Sequence, residues 1–129
     1  MVDVPVERLM STELVTIASS ATAADAAKHM LETGVSSILV VDDDGHLAGL
    51  ITATDFVSLV RRNDPNDETP VEAFMTTDIV TVSPNDSVEE LAKPTDRGYT
   101  HLPVVSEDNE LVGIVSTTDL TAYLSEHRR

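Results

Sequence analysis

Where a short apolar run ends, this sequence twice places a hydroxyl three residues ahead of a carboxylate at matching points of two similar segments: Thr52 with Asp55, and Ser116 with Asp119. The spacing has a plain structural reading. In a capping box, hydroxyl and carboxylate each bond a backbone N–H at a helix start and do nothing more. It also has a chemical one, since hydroxyls and carboxylates set side by side could in principle hydrolyse a nucleotide. Nothing nearby activates a water, however. The chain contains no Gly-x-Ser-x-Gly, His-Glu-x-x-His, phosphate-binding loop or dinucleotide fingerprint. With no cysteine, thiolate nucleophiles and cysteine-ligated metals are also excluded. The sequence reads as a protein that is not an enzyme.

Other reactive side chains point the same way. His29, His46 and His127 have no partner at metal spacing and are expected to face solvent. The run Asp42-Asp43-Asp44-Gly45 superficially resembles a calcium loop, but it lacks the alternating ligands and the distant bidentate Glu. No metal is expected. The 129 residues carry 23 Asp and Glu against 8 Lys and Arg, a formal net charge of −15. Phosphate backbones need cationic surface, so nucleic acid is not an expected partner. No apolar run reaches the roughly 18–20 residues of a membrane span, and the first residues lack the pattern of a signal peptide. Those features lead to an expected cytoplasmic location, without membrane contact. Scarce lysine with abundant Asp, Glu, Thr and Val fits a salt-rich cytoplasm. At molar salt the screening length falls to about 3 Å and carboxylate repulsion is largely removed.

The elements that must position the two hydroxyl–carboxylate units come in duplicate. Leu9–Ile17 reappears as Phe74–Val82, Gly34–Val41 as Gly98–Val105, and Leu47–Asp55 as Leu111–Asp119. Three blocks recurring in order mark an internal repeat. The polar stretch from Arg61 to Pro70, with its two prolines, separates the copies. The first repeat predicts a strand at Val15–Ile17 and a helix from Thr22, capped by Thr22 and Asp25, with Ala23, Ala26, Ala27, Met30 and Leu31 on its apolar face. Strands at Ile38–Val41 and Leu47–Ile51 follow, joined by the Asp42–His46 hairpin loop. A second helix starts near Thr54. The order is β-α-β-β-α per repeat, an α/β (α+β) fold in one compact domain. In the second copy Ser87 and Glu90 form the capping box, but Pro94 stands where the first has His29. Proline inside a helix removes a hydrogen bond and costs about 3 kcal/mol, so this helix is expected to end or kink near Lys93. Met10 and Met75 match between the copies, which suggests packing.

The leading Met-Ser/Thr segments, the Gly98-Tyr99-Thr100-His101-Leu102-Pro103-Val104-Val105 block and the Gly113-Ile114-Val115-Ser116-Thr117-Thr118-Asp119-Leu120 ending resemble the cystathionine β-synthase (CBS) repeat. The resemblance implies a pair of repeats within residues 1–129, at 5–62 and 71–125 with a linker at 63–70, packed through their sheets about a pseudo-twofold axis. It also implies a regulatory module that binds AMP, ADP, ATP, S-adenosylmethionine or a related adenosine compound in clefts between the repeats, with no cofactor required. By that resemblance the Asp accepts the ribose hydroxyls, the hydroxyl residue and the helix start receive a phosphate, and the early Val-Thr segment walls the adenine. One cleft would use Ser116, Thr118 and Asp119 with Leu14, Val15 and Thr16, and His101 near the phosphate. The other would use Thr52, Thr54 and Asp55 with Ile79, Val80 and Thr81, and offers Ser37 in place of His101. Tyr99 either stacks on adenine or serves the core or an interface. Such pairs often dimerise, with Leu59, Leu120, Tyr123 and Leu124 as candidate contacts, and a regulated partner can be encoded separately. The competing reading is a protein-interaction module with vestigial clefts.

Overall fold

The computed structural model describes residues 4–61 and 68–127. Most of the 63–70 linker and the His127 side chain lie outside the described residues. The chain divides into two compact units. One runs from Val15 to Ile79; the other joins the residues up to Leu14 to those from Val80 onward.

The Val15–Ile79 unit carries a three-stranded sheet in the order β1 (Thr16–Ala18), β2 (Ser37–Val41), β3 (Leu47–Thr52). β1 and β2 are parallel and need a crossover, which α1 (Ala23–Thr33) supplies. Thr22 caps α1 as its sequence requires: its hydroxyl accepts from Asp25 N–H and the Asp25 carboxylate accepts from Thr22 N–H, both at 3.2 Å. The helix ends at Gly34, whose φ of 71° closes the last turn. β2 and β3 form the expected hairpin, and α2 (Ala53–Arg61) leaves β3 directly. Ile17, Ile38, Val40, Ile51, Leu59, Val71 and Phe74 fill the core. Phe56 meets Phe74 edge-on at 5.3 Å.

Residues 71–76 belong to the second sequence copy, yet they complete this unit. Thr76 pairs with Leu50 through backbone bonds of 2.9 and 2.8 Å. The reciprocal arrangement holds in the other unit, where Ser11 pairs with Ile114 at 2.9 and 3.1 Å. Each leading Met-Ser/Thr segment is thus built onto the hairpin of the opposite copy. The matching glycines of those hairpins, Gly49 and Gly113, make room for it. A Cβ on Gly49 would stand 2.8 Å from Met75 Sδ and from the Thr76 carbonyl, and one on Gly113 would stand 2.6 Å from Met10 Sδ. The packing role expected for the two methionines is explained by that contact.

In the second unit β4 (His101–Val105) and β5 (Leu111–Ser116) repeat the hairpin of β2 and β3, including the register shift, here at Val104/Val105 and there at Val40/Val41. Two expectations for this copy need correction. Its first strand shrinks to one parallel bridge between Val82 and Val104. Its first helix, expected to end or kink near Lys93, continues to Asp96. It begins as a three-ten turn at Val88–Leu91, becomes α3 at Ala92–Asp96 and runs through Pro94. Pro94 is the third residue of α3 and is buried, and the helical run from Val88 passes through it to Asp96. The Pro94 carbonyl accepts from Arg97 and Tyr99 N–H, both at 3.1 Å. Val6, Leu91, Leu102, Val104 and Val115 form the core, and α4 (Thr117–His127) closes the unit.

The dimer candidates are only partly free. Leu59 is buried in the core, and Leu120 packs against the second core cluster. Leu124 is exposed, as are Val57 and Val60 on α2, which the sequence pattern did not single out.

Candidate ligand-binding site

Both hydroxyl–carboxylate units are helix caps, as their spacing allows. Ser116 ends β5 and Asp119 sits in the first turn of α4. Ser116 N–H donates to Asp119 Oδ2 at 2.8 Å, its hydroxyl approaches the same oxygen at 3.1 Å, and Asp119 N–H reaches Ser116 Oγ at 3.2 Å. Thr52 and Asp55 repeat this between β3 and α2: Thr52 N–H donates to Asp55 Oδ2 at 2.8 Å and its hydroxyl at 3.3 Å.

Capping does not exhaust Asp119. An ionised carboxylate offers about four acceptor positions. Two are taken by Ser116, both on Oδ2, and among the described residues Oδ1 receives no hydrogen bond. Asp119 is half-buried and lines a depression of about 360 Å³ with Arg8, Leu9, Ala122, Tyr123 and Glu126. Asp55 differs. It is 9% exposed, and its Oδ1 accepts a 2.7 Å bond from the Thr76 hydroxyl.

His101 lies opposite Ser116 across the β4–β5 hairpin, as Ser37 lies opposite Thr52 in the other. Its Nδ1 is 3.1 Å from the Thr100 hydroxyl. Burial pulls the imidazole below its usual 6.5, and the Asp119 charge opposes that shift in part. Burial thus disfavours the charged imidazole, while the Asp119 carboxylate favours it. Arg8 lines the same depression as Asp119. Arg8 and Thr76 both escape a motif search. Thr76 could have been found from its match to Ser11 in the duplicated leading segment; nothing in the pattern marks Arg8.

The remaining expected contacts divide between the units. Leu14 belongs to the unit of Asp119, and Val15 and Thr16 to the other; Ile79 belongs to the unit of Asp55, and Val80 and Thr81 to the other. The chain thus passes from one unit to the other at the two segments expected to wall an adenine. Thr16, Thr81, Thr54 and Thr118 are exposed, while Leu14, Val15, Ile79 and Val80 are half-buried. Tyr99 packs against the second core cluster, and Arg97 stands 5.7 Å from its ring centroid, which favours the core reading. His46 corrects the expectation that it has no partner at metal spacing: its ring nitrogen falls within 4.8 Å of carboxylate oxygens of Asp42 and Asp44, all three residues being exposed. Asp42 Oδ1 already accepts the Asp44 and His46 N–H groups, so this is hairpin-loop geometry.

A sequence model of the CBS domain matches residues 6–62 and again 71–126. The chain belongs to the CBS domain family. A relative, an uncharacterized 17.7 kDa protein of Acidianus ambivalens, is 32% identical over 120 residues, covering 92% of this chain and 72% of that protein. The L-aspartate semialdehyde sulfurtransferase of Methanosarcina acetivorans is 32% identical over 121 residues, 93% of this chain. This chain spans only 24% of that protein's length. Among solved structures, the CBS domain pair of protein MJ0100 in complex with 5′-methylthioadenosine and S-adenosyl-L-methionine aligns with a TM-score of 0.83 at 25% identity, covering 94% of this chain and 99% of that one. The duplicated α/β architecture read from the sequence is thus that of a CBS domain pair. No described helix is long and apolar enough to cross a membrane.

Proposed function

We propose that this CBS pair is a regulatory module that binds an adenosine compound at the Ser116–Asp119 turn and has no catalytic role of its own. The observation that carries the reading is the Asp119 carboxylate: one oxygen is committed to the cap, and the other receives no hydrogen bond among the described residues, on a side chain that lines an open depression. A ribose diol donates two hydrogen bonds, and that oxygen has two acceptor positions to receive them. The adenosine compounds held by the MJ0100 pair support the same ligand class. Leu14, Val15 and Thr16 are the proposed adenine wall. The Thr52–Asp55 turn, with Thr54, Ile79, Val80 and Thr81, repeats the chemistry in the other copy.

Regulation would act through a second copy or a separately encoded protein. Val57 and Val60, exposed together on α2, and exposed Leu124 on α4 are the proposed homodimer contacts. Those same residues favour the second reading, an interaction module whose turns serve only as caps. A cytoplasmic setting rich in salt accommodates the net charge of −15. Calorimetric titration of the purified protein in high salt with AMP, ATP, 5′-methylthioadenosine and S-adenosylmethionine separates the readings. At least one should bind, and Asp119→Ala should weaken it about tenfold or more, the loss expected for a hydrogen bond to a charged acceptor. Silence from all four leaves the interaction module.

A further inference from the structure

The two turns look alike in sequence, but their carboxylates differ in what remains for a ligand. Asp55 gives Oδ2 to the Thr52 N–H and hydroxyl and Oδ1 to the Thr76 hydroxyl. Of about four acceptor positions one is left, on a side chain that is 9% exposed. A vicinal diol needs two. Asp119 has two left, both on Oδ1. The residue that makes the difference sits at matching places in the duplicated leading segment. Thr76 pairs with Leu50 and turns its hydroxyl onto Asp55; Ser11 pairs with Ile114 in the same way, but it is exposed, and its hydroxyl makes no bond to Asp119 among the described residues.

We infer that Thr76 is an internal occupant of the Asp55 turn, so that each chain takes one adenosine ligand, at Asp119, and the Asp55 turn serves as a latch holding the Met75–Thr76 segment on its hairpin. The stoichiometry rests on the adenosine reading above; the latch does not. The Thr76 hydroxyl fills the place of one ribose hydroxyl. A ligand at Asp55 must first break a 2.7 Å bond to a carboxylate and leave the threonine hydroxyl to find another partner. The two sites differ by that bond, about tenfold or more in affinity. Neither the charge of the ligand nor His101 is needed to explain the asymmetry.

The test uses Thr76→Val, which keeps the shape of the side chain and removes the hydroxyl, and Ser11→Ala as its counterpart. Thermal melts without ligand read the latch: Thr76→Val should lower the midpoint and Ser11→Ala should leave it in place. Equal shifts overturn the latch. Titration with 5′-methylthioadenosine and AMP reads the stoichiometry: one ligand per chain for the parent, and a second, weaker site in Thr76→Val. Two equivalent sites in the parent overturn the single-site inference, and a Thr76→Val protein that still takes one ligand overturns Thr76 as the occupant of the Asp55 turn. If neither the parent nor the variant binds either compound, the adenosine reading and the stoichiometry fail together, and the melts alone decide whether Thr76 holds the latch.

Discussion

Replacing Gly49 by alanine should cost more stability than replacing Gly113, although the two glycines occupy matching positions of the two hairpins. At Gly113 the nearest atoms to an added Cβ all belong to the Met10 side chain: Sδ at 2.6 Å, Cγ at 2.9 Å and Cβ at 3.1 Å. Methionine has three rotatable bonds and can withdraw its thioether. At Gly49 the added carbon meets Met75 Sδ at 2.8 Å and also the Thr76 carbonyl at 2.8 Å. That carbonyl is backbone, and it accepts the 2.9 Å bond from Leu50 N–H. It can retreat only by lifting residues 75–77 off β3, which loosens the reciprocal 2.8 Å bond and the Thr76–Asp55 contact as well. Overpacking alone costs about 1–3 kcal/mol, and each weakened hydrogen bond adds about 1 kcal/mol. Gly49→Ala should therefore lose about 2–4 kcal/mol and Gly113→Ala about 1–2 kcal/mol, on the order of 4 °C in melting midpoint per kcal/mol for a chain of this size. Urea denaturation of both variants beside the parent, in the same high-salt buffer, gives the comparison. Equal losses, or a larger loss for Gly113→Ala, would show that backbone contact at Gly49 does not govern the cost.

The melting midpoint should rise between 0.1 M and 2 M potassium chloride, because a net charge of −15 is unscreened over about 10 Å at the lower salt; a flat profile removes the salt-adaptation reading. His101 has a folded pKa below its usual 6.5, so the unfolded chain binds its proton first, and its contribution is present above about pH 6.5 and is lost as pH falls toward the depressed value. The fall in midpoint from pH 7.5 to 5.5 should be smaller in His101→Gln than in the parent, and an equal or larger fall contradicts the buried-imidazole account. Light scattering in high salt should return a dimer mass for the parent and a lower mass for the Val57→Asp, Val60→Asp double variant; a parental monomer over a wide concentration range excludes these residues as the contact.

Local and repeated features were legible without a structure. The capping boxes at Thr22/Asp25 and Ser87/Glu90 came from spacing, because a cap is a contact between residues three apart and needs no tertiary partner. The hairpins came from alternating apolar runs around Asp42–His46 and its counterpart. The duplicated blocks disclosed a CBS pair before any coordinates. The path through Pro94 did not follow from spacing, since a helix capped at Ser87 places the proline past its first turn, where a break is the local expectation.

What the tertiary structure alone decided lies in contacts between residues far apart in the chain. Thr76 and Asp55 are 21 positions apart, and their bond separates two motifs that spacing makes equal. Arg8 joins Asp119 at one depression across more than a hundred residues of chain. The leading segments settle on the hairpins of the opposite copies, an exchange to which a repeat pattern is blind because either copy would satisfy the same sequence. Burial likewise set Leu59 apart from Val57 and Val60 on one short helix, where an apolar run marks which residues avoid water but not which of them find a neighbour. Sequence periodicity reports the type of contact each residue can make; only the packed chain fixes which acceptor positions on a carboxylate are already filled.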